Sequence, residues 1–188
     1  MDFESLKSQV TADWNALSKW REEAEKEYAF RDGHQWTEAE KAALEENSRV
    51  PVVFNRVQVI IASVSGSEIN NRTEVRFIPR EIGDAKPNEI LTAGAEWFRD
   101  EANAEDEETQ AFEDLLVAGL GWTETLLDYV ADVEGAPRVV RLDPLEMCWD
   151  NHAHRKGLQD ATRAARVRQI PLDEARDMFP GKEASEIN

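Results

Sequence analysis

Residues 49–81, RVPVVFNRVQVIIASVSGSEINNRTEVRFIPRE, hold three kinds of local structure in one uninterrupted stretch. Val50 to Phe54 is apolar but interrupted by Pro51, and proline keeps the residue before it out of the helical region, so an extended lead-in is predicted. At Asn55 the period changes. Val57, Ile60, Ile61 and Val64 recur at three- and four-residue steps, and Asn55 with Gln58 forms an N-cap pair for a helix. After Glu68 a polar Asn70-Asn71-Arg72 link leads to Val75, Phe77 and Ile78, predicted as a short strand closed by Pro79. These are scaffold features and carry no catalytic signature.

Working outward, Phe3, Leu6, Val10, Trp14, Leu17, Ala24 and Tyr28 predict one amphipathic helix of about twenty-five residues, an N-terminal arm ended by Gly33. Thr37 caps a second, short helix. Pro87 opens a third helical pattern at a first-turn position, with Ile90, Leu91, Ala95, Trp97 and Phe98 as its expected buried face. A tight connection near Asn103 joins it to an antiparallel partner ending at Gly119 and Gly121. Between Pro87 and Ala118 stand ten acidic residues and one arginine, Arg99. This acidic face is expected to meet water. Trp122 to Val130 and Arg138 to Leu142 alternate as a hairpin about Glu134-Gly135. Glu146 to Trp149 is expected to continue that sheet, Arg163 to Ile170 to add a strand, and Pro171 to Phe179 to close with a helix stopped by Pro180-Gly181. The predicted class is α+β: N-terminal amphipathic helices, a helical pair, a small antiparallel sheet and a short closing helix. The expected division is a helical arm over 1–48 and an α+β body over 49–188.

Composition excludes several functions. The chain has 188 residues and a formal net charge of −17. Binding a phosphate backbone needs clustered cations, so this surface would repel DNA on average. It does not exclude a conduit, because a wall that repels phosphate does not grip it. No transmembrane helix and no signal peptide are expected, and the single Cys148 suits a reducing compartment as a small core residue. No cofactor is expected. His152 and His154 with Asp150 supply too few ligands for zinc, since His34 is remote in sequence. Glu105 to Glu108 point around a helix and cannot converge on one ion, and no phosphate loop or nucleophile motif is present. The expectation is a non-enzyme.

The order of these features resembles the portal proteins of tailed bacteriophages, of the short-tailed phage type, in their N-terminal wing region. The likeness rests on the R-x-P-x-x-x-N-R-V stretch from Arg49, the strand ending at Pro79, the acidic helical pair, Asp128-Tyr129 after a glycine turn, and the box from Asp143-Pro144 to Trp149-Asp150. It implies a structural protein forming a homo-oligomeric, dodecameric ring at one capsid vertex, in the virion, and in the host cytoplasm during assembly. Double-stranded DNA would pass through without sequence-specific binding. Terminase large subunit, capsid and scaffolding proteins and a tail adaptor would be the partners, with no membrane. Portal subunits are several times longer, so the chain reads as stopping before the stem, and as a piece that folds alone. Arg49, Arg56, Arg72 and Arg76, with Arg80, are the expected subunit-interface residues, their carboxylate partners lying on the same chain or the next. An acidic protein that binds a basic partner is the alternative reading.

Overall fold

A computed structural model describes residues 2–81 and 83–179. The architecture is α+β: among the described residues there are seven helices and two separate two-stranded antiparallel sheets. Contacts group the chain into two compact units, residues 18–145 and residues 1–17 with 146–188.

The larger unit begins with α2 (Ser18–Arg31) and α3 (Glu38–Glu46), followed by α4 (Arg56–Asn70), α5 (Ala85–Glu101) and α6 (Ala104–Ala118). Strands β1 (Trp122–Asp128) and β2 (Ala136–Leu142) form a hairpin in which Thr125 lies opposite Val139. Helix α6 is its hub, packing on α2, α4, α5 and both strands. Local chemistry sets the boundaries as the sequence predicts. Thr37 and Glu40 close a reciprocal capping box at α3, each satisfying an amide of the other. Asn55 accepts from the Gln58 amide at 3.2 Å to start α4, and its Nδ2 donates to the Arg31 carbonyl, tying that cap to the end of α2. Asn103 turns α5 into α6 in the left-handed region that asparagine tolerates, and Gly119 closes α6 in the same region at φ 79°. The core is small: Ala102, Ala104 and Val139, with Phe98 against them.

The smaller unit contains α1 (Phe3–Ala16), β3 (Met147–Trp149), β4 (Ala164–Arg166) and α7 (Leu172–Met178). Helix α1 packs on β3, and Met147, Cys148 and Ala175 are buried.

Four expectations change. The single N-terminal helix is two, α1 and α2, interrupted at Leu17. Asn15 and Ser18 flank the interruption, and such side chains compete with the helix for its backbone groups. Residues 75–78 are extended but join no ladder; the Phe77 amide donates instead to the Thr92 hydroxyl of α5. Residues 147–149 do not extend the hairpin and pair with β4 as a second sheet. The expected buried face of α5 is largely exposed, with Ile90 66% and Trp97 59% accessible. The helix stop expected at Pro180-Gly181 lies outside the described residues.

Candidate functional site

Helix α4 carries the feature that sets this surface apart: it has apolar residues on both sides, Val57 and Ile61 half-buried on the side of Ser65 and Val59 and Ile60 exposed. Its one buried residue is Ser65, whose hydroxyl donates to Glu113 of α6 at 3.0 Å. One turn on, Glu68 accepts from the Thr109 hydroxyl, and Thr109 accepts from Arg72 at 2.7 Å. Arg72 also pairs with Glu105 and approaches Glu68 at 3.8 Å. At 100° per residue, the face opposite Ser65 carries Arg56, Val59, Ile60, Ser63 and Ser67, with Val64 at its edge. Val59 is 68% and Ile60 63% exposed, and Phe54 of the lead-in is 80% exposed. Transferring such side chains out of water gains roughly 1.5–3 kcal/mol each. A helix that leaves them in solvent and buries a serine is fitted for contact elsewhere.

The acidic run of α6 is taken apart by its own helical spread. Glu105 pairs with Arg72, Glu107 accepts from the Arg141 amide at 2.6 Å, and Glu108 receives Arg99 in a bidentate pair at 2.7 and 2.7 Å. Three of four carboxylates expected to face water thus brace the link after α4, the hairpin and the helical pair in turn. Glu107 also covers an outer edge amide of β2, a group that would otherwise invite strand pairing. Further along α6, Asp114 is buried and holds two elements at once. The Tyr28 hydroxyl donates to it at 2.8 Å, and Arg141 of β2 donates through Nε and Nη2 at 2.5 and 2.8 Å. Burial, and then Asp114, push the Tyr28 hydroxyl well above its ordinary value, while the bonds to Asp114 raise Arg141.

The smaller unit repeats this device. Asp13 of α1, 2% exposed, accepts from Arg163 Nε at 2.6 Å and Nη2 at 2.9 Å, and from the Asn151 amide at 3.2 Å. Asp150 is buried beside it and accepts from the Thr162 hydroxyl at 2.6 Å and the His152 amide at 3.0 Å. Arg163 bridges both carboxylates, its contact to Asp150 being 3.4 Å. The Arg163 bonds hold Asp13 below its ordinary value, outweighing burial; the Thr162 and His152 donors do so for Asp150. Both aspartates are therefore stabilised in the charged form, an effect fully present above the unfolded value near 3.8 and lost as pH falls through the lower folded values. Arg163→Gln should thus destabilise the smaller unit at pH 7, because it leaves the Asp13 carboxylate buried without its cation. Urea unfolding followed by tryptophan fluorescence should show that deficit shrinking steadily between pH 5 and about pH 2. A deficit that does not change with pH would rule out this assignment.

Of the expected interface arginines, Arg72 is spent inside the unit and Arg76 pairs with Glu74 on its own extended segment. Arg49, Arg56 and Arg80 are exposed and make no ion pair among the described residues. His152 and His154 sit in a loop organised by Asp150 and Asp160, the latter accepting from the His154 amide at 2.8 Å. No metal-binding group of three or more such residues occurs among the described residues, and no helix there is long and apolar enough to cross a membrane. Arg141 and Arg163, which hold the two clamps, were missed from sequence. Their one signal was an arginine on a short strand in an acid-rich chain.

A cleft in the larger unit completes the surface. Val75, Phe77, Ile90, Leu91, Phe98 and Val139 are among its walls, and its volume is about 660 Å³. Buried carboxylate clamps that fix helices in place, with apolar helix faces left toward solvent, define a structural α+β module. Comparison with known proteins places it: residues 7–188 match the family described as phage P22-like portal protein, and the chain belongs to that family. It is also similar to a curated relative, the portal protein of Helicobacter pylori bacteriophage KHP30. Identity is 21% over 179 residues, covering 95% of this chain and 30% of the relative. The chain thus spans less than a third of that relative's length.

Proposed function

We propose that this chain forms part of the wall of a portal ring, at one vertex of a phage capsid, through which double-stranded DNA enters and leaves. The observation that carries the reading is the family match across residues 7–188. Physical support comes from two directions. A ring needs head-to-tail contacts that close on themselves, and the larger unit offers exposed apolar faces for them. A channel wall must not hold phosphate, and a net charge of −17 suits a conduit that DNA slides past. Terminase would dock on the ring during packaging and tail adaptors afterwards, and the protein would work by geometry, with no bond made or broken.

Immunogold labelling of purified particles tests this. Antibody raised against the chain, applied to tailless heads, should decorate a single vertex in each labelled head. Label spread over all vertices, or confined to tail fibres, would overturn the reading.

A further inference from the structure

The outward stripe of α4 and the apolar cleft lie on the same unit, and their shapes are opposite. The stripe is convex: Val59 and Ile60 stand on it with Val64 at the edge, and small Ser63 and Ser67 let another backbone come close. Arg56 lies one turn before Val59, exposed and without an ion-pair partner among the described residues. The cleft is concave. Leu91, Gly94 and Phe98 of α5 line it together with Val75 and Phe77 of the extended segment and Val139 of the hairpin. Ile90 of its wall shares a side of α5 with Trp97 and Glu101, which follow it at steps of seven and four residues. Glu101, like Arg56, is exposed and makes no ion pair among the described residues.

We propose that the cleft of one subunit receives the α4 stripe of the next copy of this chain, with Arg56 meeting the neighbour's Glu101. This deepens the ring reading and rests on it. Three features argue for a second copy as occupant. Ridge and groove are different patches of one surface, so the contact is heterologous and can propagate from subunit to subunit, as a ring requires. Their unpaired charges have opposite sign, and placing such charges at the edge of an apolar contact selects partner and register. The stripe is also a helix with apolar residues at i, i+1 and i+5, the kind of face that seats in an apolar groove. The other arginines of this region do not compete for that role. Arg72 is held by Glu105 and Thr109, and Arg76 by Glu74.

Disulfide trapping of the 188-residue chain tests the contact directly. Ile60→Cys and Leu91→Cys are introduced in separate preparations; the native Cys148 is buried and stays out of the reaction. On mild oxidation, a mixture of the two variants should form the 60–91 bond at least about tenfold faster than either forms 60–60 or 91–91. Arg56→Glu should weaken association, read by sedimentation, about tenfold, and combining it with Glu101→Arg should restore most of that loss. Three outcomes overturn the proposal. A chain that assembles but traps 60–60 places α4 at a symmetric contact; ring formation through another face would be untouched. A chain that assembles with no bond at either position removes both surfaces from the interface. A chain monomeric at about 1 mM with no 60–91 product leaves the stripe to some other part of a longer protein, while single-vertex labelling can still succeed.

Discussion

Asp114→Ala should remove about 3–5 kcal/mol from the stability of the larger unit, the range found when one partner of a buried ion pair is deleted. Set against a whole-domain stability of about 5–15 kcal/mol, that is a large share of what holds the unit folded. The size follows from where the group sits. Asp114 is 2% exposed and neutralises Arg141 while accepting the Tyr28 hydroxyl, so its loss strands a cation and a half-buried phenol together. Arg141 keeps some access to water, which sets the expected cost nearer the lower end of the range. Tyr28→Phe, by contrast, removes one neutral donor and should cost about 1 kcal/mol. Urea denaturation followed by circular dichroism measures both.

A double variant separates a buried pair from simple packing loss. Arg141→Met alone leaves the carboxylate buried and should cost about as much as Asp114→Ala. Joining Asp114→Leu to Arg141→Met removes both charges and keeps the volume, and should be milder than either single change. Additive losses, or an Asp114→Ala variant within about 0.5 kcal/mol of the parent, would show that the clamp is incidental.

These clamps mark the limit of what could be read from the chain. Caps and turns were legible because their cause is local: Thr37 with Glu40, Asn55 with Gln58, and the reversal at Asn103 each depend on residues three positions apart or fewer. The hairpin was legible because alternation and a glycine turn coincide. Partnerships across the chain were not. Tyr28 and Asp114 are 86 residues apart, and Asp13 and Arg163 are 150 apart. No periodicity reports such pairings. Period also failed to say which side of a helix faces inward. The apolar spacing of α4 is real, yet the structure splits that set: Val57 and Ile61 are half-buried beside Ser65, whose side is fixed by the bonds of Ser65, Glu68 and Arg72 to α6, while Ile60 and Val64 are left in solvent. The missing strand at residues 75–78 has the same origin. Its residues suit a strand, but a ladder needs a neighbouring edge, and α5 stands there instead. Of the arginines expected at an interface, composition could group them but could not tell Arg72, consumed by Glu105, from Arg56, which is not.

Gly121→Ala should be comparably destructive, for a reason wholly different from charge. A Cβ at this position would lie 2.0 Å from the Ala111 carbonyl oxygen and 2.8 Å from its carbon. No rotamer relieves that contact, because both partners are backbone, one entering β1 and the other inside α6. The hairpin must move off the helix or the helix must deform. Overpacking of this kind costs about 1–3 kcal/mol when side chains can yield, and a backbone clash should reach the upper end or beyond. The shift would be felt along the α6–hairpin seam, loosening the bonds of Glu107 and Asp114 to Arg141. Gly66→Ala is the matching control. Nothing lies within 4 Å of its Cβ site and it sits inside α4, so alanine there should stabilise by about 0.5–1 kcal/mol through helix propensity. Thermal unfolding of the two variants should therefore move in opposite directions. If Gly121→Ala melts with the parent, β1 does not approach α6 as closely as the structure has it, and the seam that orders the hairpin must be held by something else.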